Sequence, residues 1–340
     1  MKFGELMKIL KDVPLKVGII GLGKMGLLHA SILSALGNVR VLGLCEKSRV
    51  MRRLSKKFFK GAEVVDDISE LSGLGIDAVY VTTPIPSHFS IVTRIFSERI
   101  ARNWFVEKTL ASNYVEAKQL CEMAKCSHGI AMVGYMKRFA VTFRKAKDLI
   151  DSQVLGDLVS FDAYAYSSDF AEIKETPKIS GARGGVLGDL GSHIVDLAFW
   201  FFGSLTLDSA KIGSRGAAGS EDKAIFCVSQ ADLKGNFSVS WCETQYRMPE
   251  FGFIIRGTNG ILSVNDDVLE IKLKKGQSER LFRHDLNDNV DFLLGAPEYY
   301  REDHHFVRSI IDDTMVESDF ISASKVDDLL GQIKNRAEYF

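Results

Sequence analysis

The chain has 340 residues, with 43 lysines and arginines against 44 aspartates and glutamates and a formal net charge of −1. That length exceeds one ordinary core and suits two domains of ~150–200 residues each, enough to enclose a cleft. A charge so near zero creates no field that draws nucleic acid or anionic lipid. The expected partners are therefore small neutral or cofactor-borne molecules, with no nucleic acid and no membrane.

At the start of the chain, Phe3, Leu6, Met7, Ile9 and Leu10 are interrupted by Lys2, Glu5, Lys8, Lys11 and Asp12. The interruptions are too frequent for a signal-peptide core and predict a short amphipathic helix ending at Pro14. No stretch of about 20 uninterrupted apolar residues occurs, even around Leu197–Phe202. Cys45, Cys121, Cys126, Cys227 and Cys242 form no Cys-x-x-Cys pair. Their odd number argues against a disulfide framework, so a soluble protein in the reducing cytoplasm is expected.

From Lys16 to Val133, short continuous apolar runs at Val17–Ile20, Val39–Cys45, Ala78–Val81, Trp104–Val106 and Ile130–Val133 read as strands. Helix-period segments such as Met25–Leu36 lie between them. That alternation predicts β-α-β units, and the continuity of the runs predicts parallel strands covered on both faces. After Arg138 the pattern changes. A helix is expected over Thr142–Ser152, a half-exposed strand over Leu158–Tyr166, a glycine-rich irregular stretch over Ser167–Gly188, and a helix over Asp189–Phe202. Strand candidates then follow one another without helices, at Ala224–Ser229, Asn236–Trp241, Phe251–Arg256, Ile261–Val264 and Val268–Leu273. Such a series implies an antiparallel sheet, and helices at Glu298–Asp312 and Ala323–Tyr339 close the chain. The expected class is α/β. A domain of parallel β-α-β units over residues 1–135 precedes an α+β domain over residues 136–340, which carries a large, mostly antiparallel sheet.

Chemistry enters at Gly21-Leu-Gly23-Lys24-Met25-Gly26, a Gly-x-Gly-x-x-Gly set directly after a strand and at the mouth of a helix. The first glycine allows a tight turn, the second lets backbone approach a pyrophosphate, and the third permits close packing of helix on strand. Glu46, at the end of the second strand and 20 positions beyond Gly26, suits a ribose 2′-hydroxyl and favours NAD. Lys47 and Arg49 follow at once and suit a 2′-phosphate, which leaves NADP open. Thr83, Pro84 and His88 follow the Ala78–Val81 strand on the ligand-binding edge of the sheet, and Glu107 and Lys108 leave the next strand on the same edge. Together with Gly21, Gly23, Lys24, Met25, Gly26, Glu46, Lys47 and Arg49 they make up the expected cofactor set.

In Gly184-Gly-Val-Leu-Gly-Asp189-Leu-Gly-Ser-His193-Ile-Val-Asp196, Asp189 and His193 share a face of a regular helix, with Asp196 nearby. A carboxylate can orient an imidazole that takes the proton of a reacting hydroxyl, and a lysine such as Lys108 stabilises the developing alkoxide. His193 reads equally as a packing residue, and Asp189 with His193 as half a metal site. No further ligand cluster accompanies them, and the adjacent His304 and His305 point apart on a helix, so no metal is expected. Tyr166 and Arg183 are candidate substrate contacts, Arg183 with Lys178 for a phosphate.

Together these segments resemble the glucose–fructose oxidoreductase, inositol dehydrogenase and MocA family (Gfo/Idh/MocA), over nearly the whole chain. The resemblance implies NAD(P)-dependent transfer of a hydride to or from a hydroxyl or keto carbon of a sugar, cyclitol or nucleotide sugar. The family's catalytic lysine, aspartate and histidine fall on Lys108, Asp189 and His193. Met132–Phe139 looks like the inositol dehydrogenase branch and adds Lys137 as a substrate or cofactor contact. Thr109 departs from the family's Glu-Lys-Pro motif, where threonine accepts a cis peptide far less readily than proline. The resemblance also implies a homo-oligomer, a dimer or tetramer. It admits two other readings: an NAD-dependent glycoside hydrolase working through transient oxidation, and a catalytically retired ligand sensor.

Overall fold

The computed structural model describes residues 13–169, 183–214, 220–291 and 296–340. The helix expected over Phe3–Leu10 and the phosphate candidate Lys178 lie outside them. The chain divides into two compact units, one comprising the segment up to Gly134 with Val290–Ser324, the other Tyr135–Asn289 with Lys325–Phe340.

The first unit is built on β1 (Leu15–Ile20), β2 (Val39–Cys45), β3 (Glu63–Val65), β4 (Ala78–Val81), β5 (Asn103–Glu107) and β6 (Ala131–Gly134), in spatial order β3-β2-β1-β4-β5-β6. All neighbouring pairs are parallel. Val17, Ile19, Val79, Tyr80, Trp104 and Phe105 have no exposed surface, which is why the strands read as unbroken apolar runs. The order reverses direction between β1 and β4, the switch point at which such sheets bind ligands. Helices α1 (Lys24–Ala35), α2 (Arg49–Phe58), α3 (His88–Ser97) and α4 (Tyr114–Ser127) complete the crossovers. Two of them start on side-chain caps: Ser48 accepts from the Met51 N–H and Asn113 from the Glu116 N–H. The edge strand β3 escapes sequence reading because three residues carry no periodicity.

The chain leaves this unit after Gly134, beside the boundary expected at 135, but residues 290–324 return to it. The cause is the apolar face of α7 (Pro297–Asp312), on which Phe306 and Val307 are fully buried. The Phe306 ring meets Tyr80 at 5.5 Å and Phe105 at 5.6 Å, both edge-on. Amphipathic periodicity finds a helix but does not say which core its apolar stripe joins.

The second unit carries β7 (Leu158–Tyr166), β8 (Thr206–Gly213), β9 (Lys223–Gln230), β10 (Leu233–Ser240), β11 (Glu250–Gly257), β12 (Gly260–Asn265), β13 (Val268–Leu273), β14 (Ser278–Phe282) and β15 (Glu338–Tyr339). They form one sheet in the order β14-β13-β12-β11-β7-β10-β9-β8-β15. Its pairings are antiparallel except β7 with β10 and β8 with β15. On β7, Phe161, Ala163 and Ala165 are buried towards α6 (Ser192–Phe202), and Phe161 stacks on Phe202 at 4.4 Å. Tyr164 and Tyr166 have the opposite parity and lie on the other face. Helix α5 (Val141–Asp151) precedes β7, and α8 (Phe320–Arg336) ends three residues short of the expected Tyr339, whose segment pairs as β15. Among the described residues, no helix is long and apolar enough to cross a membrane.

Candidate functional site

In the first unit, β1 runs into Gly21, whose φ of +93° makes the turn that only glycine adopts without strain. A Cβ on Gly26 would lie 1.9 Å from the Gly21 carbonyl oxygen, so helix and loop approach as closely as backbone allows. A Cβ on Gly23 would meet nothing within 4 Å. Gly23 is the N-terminal cap of α1, so the first amides of the helix, at Lys24, Met25 and Gly26, have no acceptor within the helix, as a phosphate site requires. Thr82 pins the turn: its hydroxyl donates to the Gly21 carbonyl at 2.7 Å. Its only signal in the sequence is its place just after β4.

Glu46 stands beside this loop. Its carboxylate accepts the Leu22 N–H at 2.7 Å and the Ser48 N–H at 2.8 Å, which fixes its position while leaving lone pairs for a ribose hydroxyl. Lys47 and Arg49 are exposed at the same rim. The open cradle, the free helix terminus and the fixed carboxylate fit a dinucleotide.

Thr83 and Pro84 lie on the rim at the carboxyl end of β4, as expected. His88 does not: its ring is fully buried, with Nδ1 2.8 Å from the Thr109 carbonyl and Nε2 2.8 Å from the Thr83 carbonyl. Burial lowers its pKa, and it ties two loops together. Glu107 is likewise turned inward, with Oε1 3.0 Å from His29 Nε2 and Oε2 accepting the Lys108 N–H at 3.1 Å. The side chains of His88 and Glu107, both expected in the cofactor set, are thus bonded to buried structure. Lys108 is half-exposed at the strand exit, and the Lys108–Thr109 peptide is cis although threonine occupies the second position.

In the second unit, the regular helix expected from Asp189 is replaced by a π-helical turn at Leu187–Gly191 that leads into α6. Gly188 and Gly191 lie within this turn, and π turns of this kind recur at functional sites. Asp189 Oδ2 accepts from the Trp241 indole N–H and from Arg183, each at 3.2 Å, and Arg183 also pairs with Asp169 at 2.8 Å. His193, on the first turn of α6, is 7% exposed and is walled edge-on by Tyr135 at 6.1 Å and Phe251 at 5.5 Å.

Asp196 does not serve His193. It forms a buried two-pronged pair with Arg138, at 2.6 and 2.8 Å, and burial raises its pKa against the pull of that guanidinium. Lys137 is paired with Asp266 at 2.5 Å and stands 4.9 Å above the Phe251 ring. Tyr166 was expected to contact substrate. It lies on the sheet face opposite α6, stacked on Tyr164 at 5.1 Å and against Tyr246 at 5.1 Å.

Residues 15–135 match the model of an oxidoreductase family with an NAD-binding Rossmann fold, and residues 143–263 match a GFO/IDH/MocA C-terminal domain. The myo-inositol 2-dehydrogenase of Thermotoga maritima is 23% identical over 195 residues, 56% of this chain and 55% of that protein. The NAD(+)-linked scyllo-inositol 2-dehydrogenase of Bacillus subtilis is 27% identical over 195 residues, 56% of this chain and 54% of that protein. The match thus spans about half the length of these relatives. Among solved structures, levoglucosan dehydrogenase in complex with NADH is similar at a TM-score of 0.84 and 19% identity, over 95% of this chain and 97% of that one. A 3-ketoreductase from Actinomadura kijaniata with NADP and TDP-benzene gives a TM-score of 0.80 at 18% identity, over 96% and 99%. At these identities the structures share the fold. With one family matched in both halves, the chain belongs to the Gfo/Idh/MocA oxidoreductases and carries an NAD-binding Rossmann domain.

Proposed function

We propose that this protein is an NAD(P)-dependent dehydrogenase acting on a CH–OH group of a sugar, cyclitol or nucleotide sugar, with NAD preferred. The observation that carries the reading is His193, a nearly buried imidazole walled by Tyr135 and Phe251 at the end of a π turn, in a chain that also bears a dinucleotide cradle. The bound nicotinamide supplies the hydride acceptor or donor. As the C–H bond gives up its hydride, His193 takes the hydroxyl proton, and in the reverse direction it returns it. Asp189, held by Arg183 and Trp241, orients the imidazole. Lys108 carries positive charge to the reacting oxygen. Lys137 and Arg183 are proposed substrate contacts through their charged ends, and the protein works as a homo-oligomer.

The preference for NAD rests on Glu46, whose fixed carboxylate repels a 2′-phosphate. The inositol dehydrogenases among the relatives support a polyhydroxylated ring as substrate. The test is reduced-nicotinamide absorbance with NAD and NADP separately, against cyclitols, aldoses and nucleotide sugars. Turnover of at least one ring is expected, faster with NAD and abolished in His193→Ala. Full activity of His193→Ala on a confirmed substrate overturns the assignment of the proton carrier.

A further inference from the structure

The cofactor helix α1 carries a side chain that the proposed chemistry does not use. His29, three residues after Gly26, is completely buried, with Nδ1 2.7 Å from Asp303 Oδ1 on α7 and Nε2 3.0 Å from Glu107 Oε1 at the end of β5. Tyr80 from β4, Phe105 from β5 and Tyr299 from α7 enclose the ring at centroid distances of 5.5, 5.1 and 6.3 Å. Glu107 uses its other oxygen to accept the Lys108 N–H at 3.1 Å. A continuous chain of contacts therefore runs from Asp303 through His29 and Glu107 to the backbone of Lys108. With both carboxylates ionised, an imidazole bonded to one on each nitrogen donates from both and is the cation, although burial pushes the Asp303 carboxyl up. Burial opposes that charge, and Asp303 with Glu107 outweighs it, which holds the pKa of His29 well above its usual value.

We propose that His29 is a positioning residue that clamps Glu107 against the backbone of Lys108 and so sets where the Lys108 side chain leaves the sheet. The proposal rests on Lys108 acting at the reacting oxygen, as proposed above. A displacement of about 1 Å at a catalytic group is enough to lower a rate some hundredfold. A clamp of two charge-assisted hydrogen bonds in a dry core is stiff on that scale. His29 itself need not touch cofactor or substrate.

The test combines turnover with two spectroscopic readouts on the full chain. In protein labelled with 15N-histidine, the His29 resonances, identified by their loss in His29→Gln, are expected to show both ring nitrogens protonated at pH 8. In protein labelled with 15N-lysine, the Lys108 amide, identified through Lys108→Arg, is expected to move in His29→Gln. It is expected to stay in place in Leu33→Ala, a variant of a buried residue on the same helix. Turnover of His29→Gln should fall about tenfold or more in kcat, with Leu33→Ala near wild type. Should His29→Gln fail to fold, Glu107→Gln decides. Its amide oxygen still accepts the Lys108 N–H while its NH2 donates to a neutral His29, so the clamp survives without charge and kcat is retained within a few fold.

An unmoved Lys108 amide in His29→Gln, a singly protonated His29 at pH 8, or equal kcat losses in His29→Gln and Leu33→Ala overturns the proposal. The two resonances are read without any substrate, so they decide the clamp even if no turnover is found. Full activity in Lys108→Ala, by contrast, refutes the role assigned to Lys108 and not the coupling to His29.

Discussion

Replacing Gly23 and Gly26 separately by alanine divides binding from folding. At Gly26 an added Cβ would sit 1.9 Å from the Gly21 oxygen and 2.9 Å from its carbonyl carbon. Ordinary carbon–oxygen contact needs more than about 3 Å, so the helix or the loop must shift by over ~1 Å. Overpacking of this kind costs about 1–3 kcal/mol in a well-packed site and here falls on backbone that cannot rotate away. At Gly23 the same methyl meets nothing within 4 Å, and a φ of −70° with ψ of −167° is open to alanine. The folded apoprotein should therefore lose no more than about 1 kcal/mol, mostly through the poorer N-cap, a shift of roughly 2–4 °C. The methyl does occupy the space in front of the first α1 amides, where the pyrophosphate is expected. Gly23→Ala should thus weaken NADH binding by about 10- to 100-fold, equivalent to ~1.4–2.8 kcal/mol. The assay is thermal melting with and without NADH, since saturation at a hundred times Kd adds about 2.7 kcal/mol to a folded binder. Gly23→Ala should melt near wild type without cofactor and lose most of the NADH-induced increase, whereas Gly26→Ala should melt lower in both conditions. Wild-type NADH affinity in Gly23→Ala refutes the placement of the pyrophosphate. A large loss of apoprotein stability in that variant refutes the open cradle.

Arg138→Leu leaves Asp196 buried without its guanidinium and should cost about 3–5 kcal/mol in urea unfolding; a loss under 1 kcal/mol would falsify the buried pair as a major contributor. Trp241→Phe keeps the ring but removes the N–H that Asp189 accepts, so kcat/KM on a confirmed substrate should fall about tenfold, and an unchanged value removes Trp241 from the site. Tyr166→Phe, on the face opposite α6, should leave kcat/KM within about twofold; a larger loss returns Tyr166 to the substrate set. Cys45, buried and with its thiol pushed up to about 12, and Cys121, also raised by burial, should resist alkylation at pH 8 while the exposed Cys126 reacts. Peptide mapping after maleimide treatment reads this directly. The His29 pKa is raised on folding, so its stabilisation is complete below the unfolded value of about 6.5 and fades as pH climbs through the folded one. The melting-temperature gap between wild type and His29→Gln should accordingly shrink at alkaline pH, and a gap that widens there contradicts the charged ring.

The glycine loop and Glu46 were legible because their roles depend on backbone geometry and on a fixed spacing along β-α-β, both written locally. Strands β2 and β4 were read to the residue; β4 is an apolar run buried throughout, with its ends marked by polarity. The bonding of Asp196 and Glu107 was not legible, for the opposite reason. Their partners, Arg138 and His29, lie 58 and 78 residues away, and no local pattern says which charge a carboxylate will meet. The π turn at Leu187–Gly191 escaped because helical spacing assumes 3.6 residues per turn. Tyr166 was chosen by residue type, yet the alternation along β7 that sends it to the far face was already present in Phe161, Ala163 and Ala165.

The return of residues 290–324 to the first unit bears on how the molecule is made. The carboxylate that anchors His29 is 274 residues downstream, so at ribosomal speeds of about 5–20 residues per second it emerges roughly 14–55 s later. Until then the nascent Rossmann sheet has one face bare where α7 will pack, with Tyr80 and Phe105 uncovered and His29 lacking half of its charge balance. The dinucleotide-binding half is begun first, yet it is not complete until residue 324, after most of the second unit has been made. A fragment cut at Gly134 should accordingly behave as a sticky intermediate in place of a working nucleotide-binding module.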